Sequence, residues 1–300
     1  MALTVSKRLF GEGVVATSLN GILRSPKATA ALVVCILLIG AALLAPWIAP
    51  QNPYDLLQID IFDAKLPPMS VGFSGMTHVL GTDGQGRDML SAMLYGLRTS
   101  LSVGLIAGGL ALSIGASLGL LAAYAGGRLD ALLMRLVDLM LGFPTILVAL
   151  MILAVFGQGT WKVILALVFV QWAYFARAAR AAALVEVNRD YVEAARCLGL
   201  SRSRILFRHL LPNCLPPLIV IGTIQVASAI AAEATLSFLG IGLPITEPSL
   251  GLLISNGYQV LLAGLYWISV FPGLLLLAVV FSISIVGDRL REVLNPRLET

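Results

Sequence analysis

The side chains in this sequence that could do chemistry gather in three places. The first is a charged segment, DYVEAARCLGLSRSRILFRHLLP, running from Asp190 to Pro212 between two long apolar runs. Seven of the chain's twenty Lys and Arg residues fall between Ala173 and Pro212. Val192 to Leu198 is rich in helix formers, and Gly199 tolerates the left-handed backbone that commonly ends a helix. Ser201 is placed to cap a second short helix, with Arg204 and Arg208 four apart on one face, and Pro212 marks the next boundary. The spacing predicts a helix, a Gly turn and a second helix: a compact knob able to move as a rigid body. The second place is LGTDGQGRDMLS, Leu80 to Ser91. Its glycines allow a tight fold, and Asp83, Arg87 and Asp88 can pair with one another or meet a partner's charges. A structural cap and a partner contact both fit. The third is Glu233, a lone carboxylate inside an apolar run. Such a group is costly in a hydrocarbon setting and must face a bundle interior, a pore or a partner. Pore lining and a structural hydrogen bond are both open readings.

Catalytic constellations are missing. Cys35, Cys197 and Cys214 are scattered without metal-ligand spacing, and the two histidines, His78 and His209, fall far apart. No catalytic residue and no metal ligand is assigned. No G-x-x-x-x-G-K-[ST] phosphate loop occurs, so the chain is expected to bind no nucleotide that way. G-x-S-x-G and H-E-x-x-H are absent too, which argues against an intramembrane hydrolase. No basic-aromatic module indicates nucleic acid, and no clear internal repeat supports an inverted-repeat carrier.

The elements that must position these residues are membrane helices. Of 300 residues, 58% are hydrophobic and 12% charged, where a soluble domain carries roughly 25% charged residues. Mean hydropathy is +0.93. About 20 apolar residues cross a bilayer as a helix, and the windows 28–48, 101–125, 132–155, 161–178, 213–240 and 263–287 qualify. The periodicity is helical, not the alternation of a barrel, so the expected class is an all-α membrane protein with six transmembrane helices. The first run starts after a polar segment of 27 residues and is long enough to span, which reads as a retained helix, not a cleaved leader. It ends at Ala45-Pro46-Trp47, where Pro46 should stop the helix and Trp47 should sit at the interface. Pro144 should kink the third helix as a hinge, and Pro272-Gly273 the sixth. Arg135 and Asp138 are spaced for a local ion pair. Gly104, Gly108, Gly109, Gly115 and Gly119 should let helices pack closely.

With the N-terminus in the cytoplasm, sixteen of the twenty basic residues fall inside. These are Lys7, Arg8, Arg24 and Lys27, then Arg128 and Arg135, the seven from Arg177 to Arg208, and Arg289, Arg291 and Arg297. Only Lys65, Arg87, Arg98 and Lys162 fall outside. That bias orients the chain with both termini cytoplasmic, and the pI near 9.1 then reflects anchoring to anionic lipid. The expected division is a cytoplasmic segment 1–27, a first helix 28–48, an extracytoplasmic loop 49–96, a five-helix domain 97–287 holding the polar loop at about 187–212, and a tail 288–300.

Glu193-Ala194-Ala195, with Gly199 after three intervening residues and Leu211-Pro212 beyond, resembles the EAA loop of ABC importer permeases, E-A-A-x3-G-x9-I-x-L-P. His209 stands where the pattern has Ile. Gly81-Thr82-Asp83, Gly86-Arg87-Asp88 and the tail from Gly287 to Glu292 and Asn295 to Leu298 resemble C-type subunits of dipeptide and oligopeptide permeases. The order of these segments covers most of the chain. The resemblance implies a type I ABC importer permease fold in a bacterial or archaeal inner membrane. It also implies a homologous second permease as partner, two ATPase subunits that carry the ATP and Mg this chain lacks, and an extracytoplasmic binding protein. Glu193 would anchor the docking helix, Ala194 and Ala195 would give close approach, and Gly199 would form the turn. The cargo would be a di- or oligopeptide, with nickel chelates and glutathione-type solutes as alternatives in the same family. A reading from another class is an ATP-independent channel or secondary carrier, which leaves the polar loop unexplained.

Overall fold

The computed structural model describes residues 19–294 apart from Leu56 and Ser74. Lys7 and Arg8 at one end, and the Asn295 to Leu298 pattern at the other, lie outside the described residues. Most of the described residues are helical. Helix α1 spans Pro26–Ile48, α2 Met89–Ala125, α3 Gly127–Gly142, α4 Thr145–Phe156, α5 Thr160–Glu186, α6 Asp190–Cys197, α7 Leu211–Phe238, α8 Leu250–Tyr258 and α9 Trp267–Leu294. One two-stranded antiparallel hairpin, β1 (Ser70–Val71) and β2 (Thr77–His78), lies between α1 and α2. Among the described residues, five helices are long and apolar enough to cross a membrane, and α3 with α4 makes a sixth span if the bent pair is counted as one.

Several boundaries differ from the sequence expectation, each for a local reason. α1 runs through Pro46; it stops at Ala49, whose ψ of 128° is the extended form imposed on a residue before proline, here Pro50. Trp47 is exposed at that end. The loop expected to reach residue 96 is helical from Met89 onward, because the Asp88 side chain accepts the Ser91 N–H and starts α2 there. The third span is two helices at 89°, not one kinked helix. Phe143 is extended before Pro144, so no α-turn can be closed across them. Pro272 and Gly273 interrupt nothing, and α9 continues from Trp267 to Leu294.

The expected Arg135–Asp138 pair is absent. Asp138 pairs with Arg177, and Asp130 takes two bonds from Arg180, at 2.5 and 2.6 Å. Both acids reach across to α5, which lies alongside α3. These pairs are partly exposed, so they orient α3 more than they stabilise it.

α2 and α5 form the axis of the bundle. Gly115 and Gly119 of α2 sit against the Trp172 and Ala176 carbonyls and the Ala179 side chain of α5, where an added Cβ would collide. Higher on α2, a Cβ on Gly104 would meet Ile230 at 2.5 Å, and one on Gly108 would meet Val226 at 2.9 Å, both on α7. Gly109 has open space around it. Four of the five glycines are therefore packing residues. Between lipid-exposed helices dispersion does this work, since lipid tails are as apolar as leucine. α7 in turn contacts α9, and α1 lies outside on α2 and α9.

α2 also sets two ends. Its N-terminus meets the hairpin region, here called the cap. Its C-terminus meets α6, where the Arg196 guanidinium lies 4.9 Å from the Tyr124 ring centroid. That end is here called the knob.

Gly119→Leu and Gly109→Ala separate the packing role from helix propensity. Overpacking at Gly119 is expected to cost about 1–3 kcal/mol. Ala at Gly109 is expected to gain about 0.5–1 kcal/mol, since a helix interior favours it. Thermal unfolding of the purified chain in detergent reads both; equal effects would remove α2–α5 contact as the cause.

Candidate functional site

The knob is built between the end of α5 and the start of α7. Asp190 and Glu193 occupy the first turn of α6 and Arg196 its last, the arrangement that complements the helix dipole. Val192 and Ala195 face inward and are buried among Ala179, Ala183, Ile205, Leu210, Cys214 and Leu218. Glu193, Ala194, Cys197 and Leu198 face outward and are exposed, Leu198 at 78%. This splits the expected contact pair: Ala194 is available for close approach, and Ala195 packs inside its own chain.

Gly199 has φ +69°. Its N–H bonds the Arg196 carbonyl at 3.0 Å, and the Leu200 N–H bonds the Ala195 carbonyl at 3.2 Å. These two bonds make a Schellman turn, with Leu200 packed on the same apolar cluster. No neighbour lies within 4 Å of an added Cβ, so glycine is required here by the backbone angle and not by crowding.

Beyond the turn the structure departs from a plain second helix. Ser201 occupies the N-cap of the single turn Arg202–Arg204, but its side chain caps nothing. Residues Ile205–Leu210 are wound as a π-helix, and the Leu211 N–H reaches back to Leu206. Pro212 explains the widened turn: it brings no N–H to the Arg208 carbonyl, and its ring crowds that oxygen in α geometry. The π winding removes the simple four-residue register expected for Arg204 and Arg208. Leu211 and Pro212 are half-buried at the start of α7.

Glu233 is fully buried, so in this chain it lines no open pore. It accepts the Ser100 hydroxyl of α2 at 2.6 Å and the Ser237 hydroxyl at 2.8 Å. One residue on, Gly251 of α8 presses on the Ala234 backbone. The carboxyl thus ties α2 to α7 where α8 packs. Ser237, four residues along the same helix, was readable as a partner; Ser100 comes from a distant helix and was not.

The Gly81–Asp88 segment is the centre of the cap. Arg87 is 1% exposed, and its Nε and Nη2 both lie 2.7 Å from Asp83 Oδ2. Asp83 Oδ1 accepts the Gln85 and Arg87 N–H groups. Asp88 holds Ser91 and lies 3.1 Å from His78 Nδ1, while His78 Nε2 is 3.9 Å from Asp63. The Thr82 hydroxyl bonds the Asp63 carbonyl, and its own carbonyl accepts Trp267 Nε1 at 3.2 Å. A Cβ on Gly81 would strike the Leu66 carbonyl at 2.6 Å. The opposite charges pair within the chain, but among the described residues His78 Nε2 has no hydrogen-bond partner and Arg87 Nη2 meets Asp83 only as an ion contact. Asp63, His78 and Gln51, whose side-chain oxygen accepts the Asp88 N–H at 2.7 Å, are partners that no spacing in the sequence indicated.

The structure is thus a bundle of membrane-length helices with a polar knob on a glycine turn at one end and a buried polar cap at the other. Residues 115–300, more than half of the chain, match the family described as binding-protein-dependent transport system inner membrane component. Residues 21–68 match the N-terminal transmembrane domain of oligopeptide transport permease C. A putative peptide transport system permease protein of Brucella suis is 40% identical over 291 residues, covering 96% of this chain and 94% of that one. The dipeptide transport system permease protein DppC of Escherichia coli K12 is 42% identical over 277 residues, covering 92% and 91%. In fold, the chain resembles a permease in the inward-facing MetNI methionine ABC transporter, with TM-score 0.55 and 22% identity over 68% of this chain and 97% of that one. The chain therefore belongs to the inner-membrane permeases of binding-protein-dependent ABC importers. Its relatives are named as transport subunits, not enzymes.

Glu233→Leu leaves the Ser100 and Ser237 hydroxyls buried without their acceptor and is expected to cost about 1–3 kcal/mol. Glu233→Gln keeps an acceptor and should cost less. Detergent thermal melts compare the two; equal stability of Glu233→Leu and the parent would end the clamp assignment.

Proposed function

We propose that this chain is one permease half of an ATP-driven importer of di- or oligopeptides. It pairs with a homologous second permease, sits on two ATPase subunits that hold ATP and Mg, and receives cargo from an extracytoplasmic binding protein. The knob seats on the ATPase and lies in the cytoplasm with both termini; the cap faces outward. Glu193, Ala194 and Leu198 supply the docking surface, and Gly199 holds its angle to the bundle. The carrying observation is the exposed outer face of α6 on a rigid Schellman turn, in a chain 38–42% identical to relatives named as peptide or dipeptide permeases. The excess of basic residues on the knob side supports the orientation. ATP binding would favour one of two packed arrangements, with the knob linking the nucleotide and transport equilibria.

The test uses native membranes. Affinity capture of the chain is expected to bring down a second permease and ATPase subunits, and the peptide held by the associated binding protein names the cargo. Cys197 is exposed on α6 whereas Cys214 is buried, so a thiol cross-linker should join Cys197 to the ATPase. A lone chain with no ATP-hydrolysing partner would overturn the reading.

Gly199→Val is expected to leave the chain inserted yet cut uptake. A β-branched side chain at positive φ costs about 1–2 kcal/mol, which tilts α6 off its turn. Asn at the same site should be tolerated better, since it adopts that backbone more readily. Uptake by the assembled complex measures both, and normal coupling in the Val variant would refute the role given to this turn.

A further inference from the structure

The outer face of α6 gives the knob a surface, but something must pass its tilt to the bundle. Apolar packing under Val192 and Ala195 holds the helix without fixing a direction. Directional contacts are polar, and one residue of α6 makes them to both neighbours. The Tyr191 hydroxyl donates to Glu186 Oε2 at 2.9 Å and accepts from Asn213 Nδ2 at 3.2 Å. Glu186 is the last residue of α5, and Asn213 lies in the first turn of α7. Asn213 Nδ2 also donates to the His209 carbonyl at 2.7 Å, at the end of the π-wound segment.

One phenol oxygen therefore joins the ends of two membrane-crossing helices to the knob. Burial and then the Glu186 carboxylate push the Tyr191 phenol well above its ordinary pKa, so the hydroxyl keeps its proton. Glu186 and Asn213 also line an open groove of about 690 Å³ between α5, α7 and α9, together with Val220, Ile221, Ile224 and Arg291. Movement of either helix end changes that groove.

We propose that Tyr191 is a positioning residue for transport: with Glu186 and Asn213 it ties knob tilt to the separation of α5 and α7 at the groove. This rests on the importer reading above.

The experiment uses the whole complex in liposomes, with a mixture of di- and tripeptides as cargo counted by mass spectrometry. Tyr191→Phe keeps the ring and removes only the hydroxyl. It is expected to keep its ATPase subunits and its basal hydrolysis within about twofold, while peptide moved per ATP falls at least about fivefold. Asn213→Ala should act likewise, and the double variant should be no worse than either alone, because one network is being cut. Glu186→Gln retains the acceptor oxygen and should stay near the parent value.

An unchanged peptide-to-ATP ratio in Tyr191→Phe overturns the proposal, as does loss of the ATPase subunits from that variant, which would make Tyr191 a docking residue. Additive losses in the double variant overturn it too. If the parent chain captures no ATPase at all, the importer reading itself has failed, a result distinct from any of these.

Discussion

The structure depends on backbone approach between α2 and α5. Inside a bilayer no water is expelled when two helices meet, so association rests on close packing. Gly115 and Gly119 let α2 settle on the Trp172 and Ala176 carbonyls of α5, and the other helices arrange around that pair. A side chain at either position would part the axis. The same logic recurs where Gly104 and Gly108 meet α7 and where Gly251 meets Ala234. Small residues mark each point where this bundle must be tight.

Charged side chains gather at the two ends, while Glu233, Gln171 and Gln225 are buried within the long helices. At the cap, Asp83 pairs with Arg87 and Asp88 with His78, and Asp88 starts α2. At the knob, the inner face of α6 is apolar and the outer face is exposed. The cap is suited to fix an end of the bundle and the knob to meet another subunit. Glu233 is tolerated at depth because two serine hydroxyls donate to it. Its role joins helices inside this chain instead of offering a charge to a pore.

The broken third span shows how a local rule can redirect a whole element. Pro144 was legible as a kink, yet the pair of Phe143 and Pro144 separates two helices at 89°. The extended backbone at Phe143 turns α3 aside, and Asp130 and Asp138 hold it against Arg180 and Arg177. The expected partner of Asp138 was its neighbour Arg135; a helix alongside offered a better-placed guanidinium.

The sequence by itself determined the class, the long apolar spans, the glycine turn at Gly199 and the position of the polar loop. These follow from composition, run length and backbone preference, which act within a few residues. Only the tertiary structure decided which side of α6 points outward, that Ala195 is buried while Ala194 is free, that Glu233 meets Ser100, and that Tyr191 reaches Glu186 and Asn213. Each of those facts joins residues on different helices, or depends on what covers a face. No periodicity along one segment records what another segment brings to it.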